Sequence, residues 1–126
     1  AQGAYEMALA YPQKREQFGK QICKFQAVSF KLADMAMKIE AARCLLYKAC
    51  RIKDAGLPYG KEAAMAKLYC SEVAAEVCDN AVQVMGGHGL LKDFNMARFY
   101  RDQRILQIGE GTSEILRLVI SRYIGC

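Results

Sequence analysis

The chain has 126 residues, the size of one domain, with 53% hydrophobic residues, which supplies a core and excludes a disordered chain. Its 18 Lys+Arg exceed its 13 Asp+Glu, for a net charge of +5 with the single His neutral. No apolar run approaches the ~18–20 residues of a membrane span.

Residues 2–18 carry Ala4, Met7, Ala8 and Tyr11 at helical spacing. Pro12 inside this helix predicts a kink or local break, because Pro lacks a backbone donor and clashes with the preceding turn. Phe25, Val28, Leu32, Met35, Ile39, Ala42, Leu46 and Ala49 are spaced alternately three and four apart. That puts all eight on one face of a long helix over about 21–55, stopped at Gly56 and Pro58. Lys31, Asp34, Lys38 and Lys48 fall off the stripe. A second stripe, Ala63, Ala66, Cys70, Val73, Val77, Ala81 and Val84, predicts a helix over about 59–85 that ends at Gly86-Gly87. Glu72, Glu76, Asp79 and Gln83 take another face of it. Residues 88–111 read as a glycine-rich turn, a short helix over about 96–102 and a loop. The last helix begins at Thr112, whose hydroxyl caps free N–H groups, with Glu114 suiting the helix dipole. Ile115, Leu116, Leu118, Val119, Ile120, Tyr123 and Ile124 make it apolar on most sides, so it is expected to be buried. Alternating strand patterns are absent. The sum is an all-α, antiparallel four-helix bundle forming a single domain over 1–126.

A lone histidine excludes the di-iron bundles that need two Glu-x-x-His motifs, and any Ser-His-Asp or Cys-His site would have to use His88. The six cysteines form no Cys-x-x-Cys pair, so zinc-ribbon and thioredoxin-like readings fail; buried free thiols in a reducing cytoplasm are expected. The basic residues are scattered, which does not support a nucleic-acid groove; cofactor phosphates account for the charge equally well. The N-terminus has charges where a secretory signal needs apolar residues, and the missing initiator Met points to a processed chain or a piece of a longer one.

Five of the ten glycines fall between 86 and 111, marking two places where backbone turns sharply or meets something closely. In Gln83-Val84-Met85-Gly86-Gly87-His88-Gly89 a helix precedes the glycines, which rejects a dinucleotide fingerprint. A helix C-cap and a ligand against bare backbone fit this segment equally well. In Gly109-Glu110-Gly111-Thr112-Ser113 a carboxylate sits between glycines just before a helix. It complements the dipole from solvent, or it is a base whose pKa is raised by apolar surroundings; Ile105, Leu106 and Ile108 predict a partly buried approach. Arg15-Glu16-Gln17-Phe18-Gly19-Lys20 reads as a solvated charge run or as a phosphate clamp with an aromatic wall.

Taken in order, these features resemble the C-terminal helical domain of the flavin-dependent acyl-CoA dehydrogenases over essentially the whole chain. The resemblance rests on Arg15-x-x-Phe18-Gly19-Lys20, Phe25-Gln26, Gln83-x-x-Gly86-Gly87-x-Gly89, Asp93, Arg98, Asp102 and Glu110-Gly111-Thr112-Ser113-Glu114. It implies that Glu110 is the catalytic base, taking the α-proton of an acyl-CoA thioester while the β-hydrogen leaves as hydride to flavin N5. Gly111 would lie along the acyl chain, and Thr112, Ser113 and Glu114 would contact the FAD of the same subunit. Arg15, Phe18, Phe25, Gln26, Gln83, Val84, Met85, Gly86 and Gly87 would hold the FAD pyrophosphate and adenosine, usually those of a neighbouring subunit. Electron-transfer flavoprotein as acceptor, a homotetramer, and a cytoplasmic or mitochondrial-matrix location are implied as well; no metal is.

Members whose base sits on the first long helix carry another residue at position 110, so Glu110 favours the larger group with its base in this loop. Gly109 stands where many members have an aromatic, Pro12 is unusual, and Phe25 replaces the His of some members. Full members also carry an N-terminal helical domain and a middle β-domain, both absent here, so the chain is expected to be inactive alone. A non-catalytic helical oligomerisation module and an acyl-CoA oxidase on the same scaffold are the alternatives.

Overall fold

The computed structural model describes all residues 1–126. Five helices follow in chain order: α1 (Gln2–Ala10), α2 (Gln26–Asp54), α3 (Gly60–Met85), α4 (Met96–Asp102) and α5 (Ser113–Tyr123). A small hairpin, β1 (Glu16–Gln17) and β2 (Lys20–Gln21), lies between α1 and α2. The all-α bundle is as expected, with α3 at its centre, packed against each of the other four helices.

That central position explains the burial of α3. Ala66, Val73, Val77, Ala81 and Val84 of the expected stripe are buried, and so are Ala64, Ser71, Ala74, Cys78 and Met85 beside it. One stripe serves a helix with one neighbour, whereas α3 is flanked on several sides and buries several faces. Its alanines let the neighbouring helices approach closely. On α2, Leu32, Met35, Ile39, Ala42 and Ala49 are buried as the spacing requires, but Leu46 is 44% exposed. Leu46 borders a groove of about 320 Å³ between α2 and α3, so the stripe outruns the space that α3 fills. The off-stripe charges lace the two helices together: the Lys31 ammonium donates to Asn80 Oδ1 at 3.0 Å, and Lys38 pairs with Glu76. That bond to Glu76 raises the pKa of Lys38.

The α2–α3 connection follows the expected chemistry. Gly56 has φ +71°, its N–H donates to the Lys53 carbonyl, and the Leu57 N–H reaches back to that of Ile52. This is the Schellman arrangement that satisfies the last carbonyls of a helix.

Four local expectations are corrected. First, α1 does not reach residue 18: of the kink or local break expected at Pro12, the structure has the break. The helix ends at Ala10, and Pro12 is buried in the turn that follows, where its missing N–H is not needed. Second, the chain then forms strands, which period-two patterning cannot register in elements of two residues. Phe18 (φ +54°) and Gly19 (φ +78°) occupy the centre of a type I′ turn between them. The hairpin and a 3₁₀ turn at Ile22–Lys24 delay α2 to Gln26 rather than 21. Third, α5 is not enclosed: Ser113 and Leu116 are buried, whereas Ile115, Leu118, Tyr123 and Ile124 are exposed. Fourth, the thiols are not uniformly buried. Cys78 is buried, Cys23 and Cys70 are half-buried, and Cys44, Cys50 and Cys126 face solvent.

Candidate active site

The loop before α5 is tightly determined. The Gly109 N–H donates to the Ile105 carbonyl at 2.8 Å, closing a 3₁₀ segment over Gln103–Gln107. Glu110 then takes φ +56° and Gly111 φ +101°. A glycine adopts this left-handed conformation freely, while for Glu110 it costs about 1–2 kcal/mol. Thr112 caps α5 as expected, its hydroxyl accepting the Ile115 N–H at 3.3 Å. Across the loop the Lys67 ammonium donates to the Gly111 carbonyl at 2.5 Å. Neither charge pattern nor periodicity marks Lys67, because a long side chain finds its partner only once α3 and the loop are packed.

Glu110 itself is exposed and belongs to no ion pair. Ile105, Leu106 and Ile108 are exposed too, which corrects the expected partly buried approach: within this chain nothing covers them. Beside the loop lies a cleft of about 290 Å³ lined by Glu72, Arg104, Thr112, Ser113, Glu114 and Arg117, among others. Ser113 is buried there to 8% exposure, and its hydroxyl has no hydrogen-bond partner. Glu114 has its pKa lowered, first by its own backbone N–H and then by the Thr112 hydroxyl. Arg117 is bound to Glu72 of α3.

The second cluster sits at the far end of α3. Gly86 (φ +58°) caps the helix, its N–H on the Val82 carbonyl. The C-cap reading of the glycine segment is met at Gly86, and a separate close backbone approach occurs at Gly89, against the chain's own helix. A Cβ on Gly89 would meet Val82 Cα and O at 3.1 Å, so bare backbone there lets the turn fold against its own helix. Gly86 and Gly87 face open space. Val84 and Met85 are buried in the core, which leaves exposed Gln83 as the side chain of that segment facing solvent.

Arg15 is brought to this same end. It lines a hollow of about 250 Å³ with Tyr11, Lys14 and His88, and it forms no ion pair. The Tyr11 hydroxyl and His88 Nδ1 are 3.0 Å apart, which ties the Arg15 turn to the glycine turn. Phe18 and Phe25 meet edge to face with centroids 6.2 Å apart, and the Lys20 ammonium lies 4.3 Å from the Phe25 ring centre. Gln26 is exposed at the start of α2. Asp102 is held by Arg98 and Arg101 at 3.3 and 3.2 Å, and these bonds, that to Arg101 first, lower its pKa. The expected residues therefore form two groups. From Lys67 to Gly86 along α3 the rise is about 28 Å at 1.5 Å per residue.

The sequence profile described as "Acyl-CoA dehydrogenase, C-terminal domain" matches residues 1–125. A probable acyl-CoA dehydrogenase, YngJ of Bacillus subtilis, is 51% identical over 124 residues, which are 98% of this chain and 33% of YngJ. The structure of butyryl-CoA dehydrogenase from Megasphaera elsdenii superposes with a TM-score of 0.96 at 47% identity, covering 98% of this chain and 32% of that one. A structure described as the FAD complex of PigA superposes with a TM-score of 0.94 at 34% identity, covering 97% and 32%. The chain thus spans about a third of the length of these relatives. No helix is long and apolar enough to cross a membrane. A helical bundle centred on α3, matched end to end by one domain profile, belongs to the acyl-CoA dehydrogenase family, as its C-terminal domain.

Proposed function

We propose that residues 1–126 act as one domain of a larger FAD-dependent enzyme that dehydrogenates an acyl-CoA thioester between its α- and β-carbons, with Glu110 as the base for the α-proton. One observation carries this reading: a carboxylate without an ion-pair partner is held in a left-handed loop between two glycines, at the start of α5. A solvent-facing dipole partner needs no such strained backbone, and Glu114 already fills that role. Flanking glycines leave room for a thioester beside the base, and Gly111 would lie along the acyl chain. A base within hydrogen-bond reach contributes about 10²–10⁴-fold to such a proton transfer.

The residues present suit FAD. The partnerless Ser113 hydroxyl, with Thr112 and Glu114, offers polar contacts near the base. Gly86 and Gly87 leave open space, beside exposed Gln83, where the adenosine would lie. Arg15 has its guanidinium free for the pyrophosphate, with Phe18, Phe25 and Gln26 nearby in the chain. FAD held by these residues would supply the acceptor for the β-hydride.

The separation of the two groups along α3 supports a site shared between copies, each chain giving its base loop to one flavin and its arginine end to another. Exposed Phe30 and Met37 on α2, with Ile115 and Leu118 on α5, supply apolar surface for a homo-oligomer, a tetramer as the family resemblance implies. Electron-transfer flavoprotein is the acceptor on that same resemblance. The isolated domain, mixed with FAD, butyryl-CoA and an artificial acceptor, is expected to give no turnover.

The deciding experiment is Glu110→Gln in the full-length polypeptide. Near-total loss of turnover with retained yellow flavin is expected. Unchanged turnover would leave the domain as a helical assembly module.

A further inference from the structure

We infer that Lys67 is a positioning residue for the base loop, holding Glu110 through the neighbouring Gly111 carbonyl; this rests on Glu110 being the base. Lys67 projects from α3 with its ammonium on the Gly111 oxygen, 44 residues away in sequence. It is half-buried, and its stem lines the groove with Ala63, Ala66 and Cys70. It forms no ion pair, although the chain has 13 acidic residues, and its charge is directed at a single backbone oxygen. Such charge-assisted bonds are roughly twice as strong as neutral ones.

The position of that oxygen gives the contact its effect. The Gly111 carbonyl belongs to the peptide joining the two left-handed residues to the cap of α5. Glu110 at φ +56° and Gly111 at φ +101° are each able to relax toward commoner conformations. The Thr112 cap holds the loop from its helix side, and the Gly109 N–H holds it from the 3₁₀ side. Between those anchors the Lys67 ammonium is the one side-chain donor on the Glu110–Gly111 pair. Pulling the Gly111 carbonyl toward α3 sets that peptide plane and, through it, the direction from which Glu110 reaches an α-carbon. Proton transfer is sensitive to such placement, because a misplacement of about 1 Å costs on the order of 10²-fold.

The test uses the full-length flavin-loaded polypeptide and reads exchange of the α-protons of butyryl-CoA with D₂O, which reports on the base directly. Lys67→Met keeps the apolar stem and removes the bond; Lys67→Arg keeps a cationic donor. The Met variant is expected to lose about tenfold in exchange and in kcat, with flavin content, Tm and KM nearly unchanged, and the Arg variant is expected to recover most of it. Unchanged exchange per bound flavin in Lys67→Met overturns the inference. So does a loss that merely tracks flavin release or a fallen Tm, which marks a structural role. Should the Met variant fail to accumulate, Lys67→Gln replaces it, and full exchange there is equally fatal. Glu110→Gln run in parallel separates the two readings. If it retains exchange, the base assignment fails; if it loses exchange while Lys67→Met does not, only the role of Lys67 fails.

Discussion

The loop packed on the body of α3 and the C-terminal end of that helix are built on opposite plans. Beside Lys67 and Glu72 of α3, the Glu110 loop is a strained segment pinned from three directions, by Gly109, by Thr112 and by Lys67. At the C-terminal end of α3, Gly86 and Gly87 face open space and Arg15 stands free beside a hollow. The loop constrains a single carboxylate; the helix end presents donors and bare backbone with room to spare. The contrast matches two kinds of task. Moving a proton requires an atom fixed to within a fraction of an ångström, while gripping a charged, extended group requires accessible charge and clearance.

Substitutions in the loop and at the arginine end test this division of tasks. The largest effect is expected for Glu110→Gln, a fall of about 10²–10⁴-fold in kcat with flavin retained, measured by dye-linked turnover and visible absorbance. Arg15→Ala at the other end should reverse the pattern. Flavin affinity falls about 10–100-fold on gel filtration or titration, while α-proton exchange per bound flavin is kept. If Arg15→Ala abolished exchange per flavin, the division of labour would collapse.

Gly89→Ala sharpens the structural half of the contrast. Its Cβ would press on the Val82 backbone at 3.1 Å, so denaturant unfolding should show a loss of about 1–3 kcal/mol. Gly87→Ala, with nothing nearby, serves as its control. The smallest effect concerns Glu114. Its backbone and Thr112 hydrogen bonds hold its folded pKa below the ordinary glutamate value, so its contribution to stability is present above that ordinary value and is lost as pH falls through the folded pKa. Glu114→Gln should flatten the acid side of the Tm profile slightly and leave neutral pH unchanged.

Helices were legible in the sequence wherever one face decided their fate. The α2 stripe from Leu32 to Ala49 is buried with the exception of Leu46, and α4 occupies the expected residues. Prediction weakened where partners come from elsewhere. The second buried face of α3, Ala64 to Met85, is written in small residues that carry little periodic signal. The apolar residues of α5 predicted a buried helix, yet Ile115, Leu118, Tyr123 and Ile124 are exposed, because hydrophobicity alone does not say how many faces the neighbouring helices cover. The hairpin was hidden because Phe18 at positive φ is a turn residue of the wrong type. At the candidate site, the glycines around Glu110 pointed to unusual backbone, and the positive φ values are there. Lys67 and the Tyr11–His88 bond were not legible, since each joins residues more than 40 apart.

Phe18 carries a consequence of its own. A two-residue reversal of this hand is best served by Asn ahead of the glycine, and a benzyl group is a poor choice for local folding. The ring is nonetheless held at the tip of the hairpin, 91% open to water. A residue that burdens its own turn and meets only the Phe25 ring adds little to the fold that bears it. Swapping it for Asn should therefore relieve the turn and make the lone domain more soluble, at the expense of that one aromatic contact.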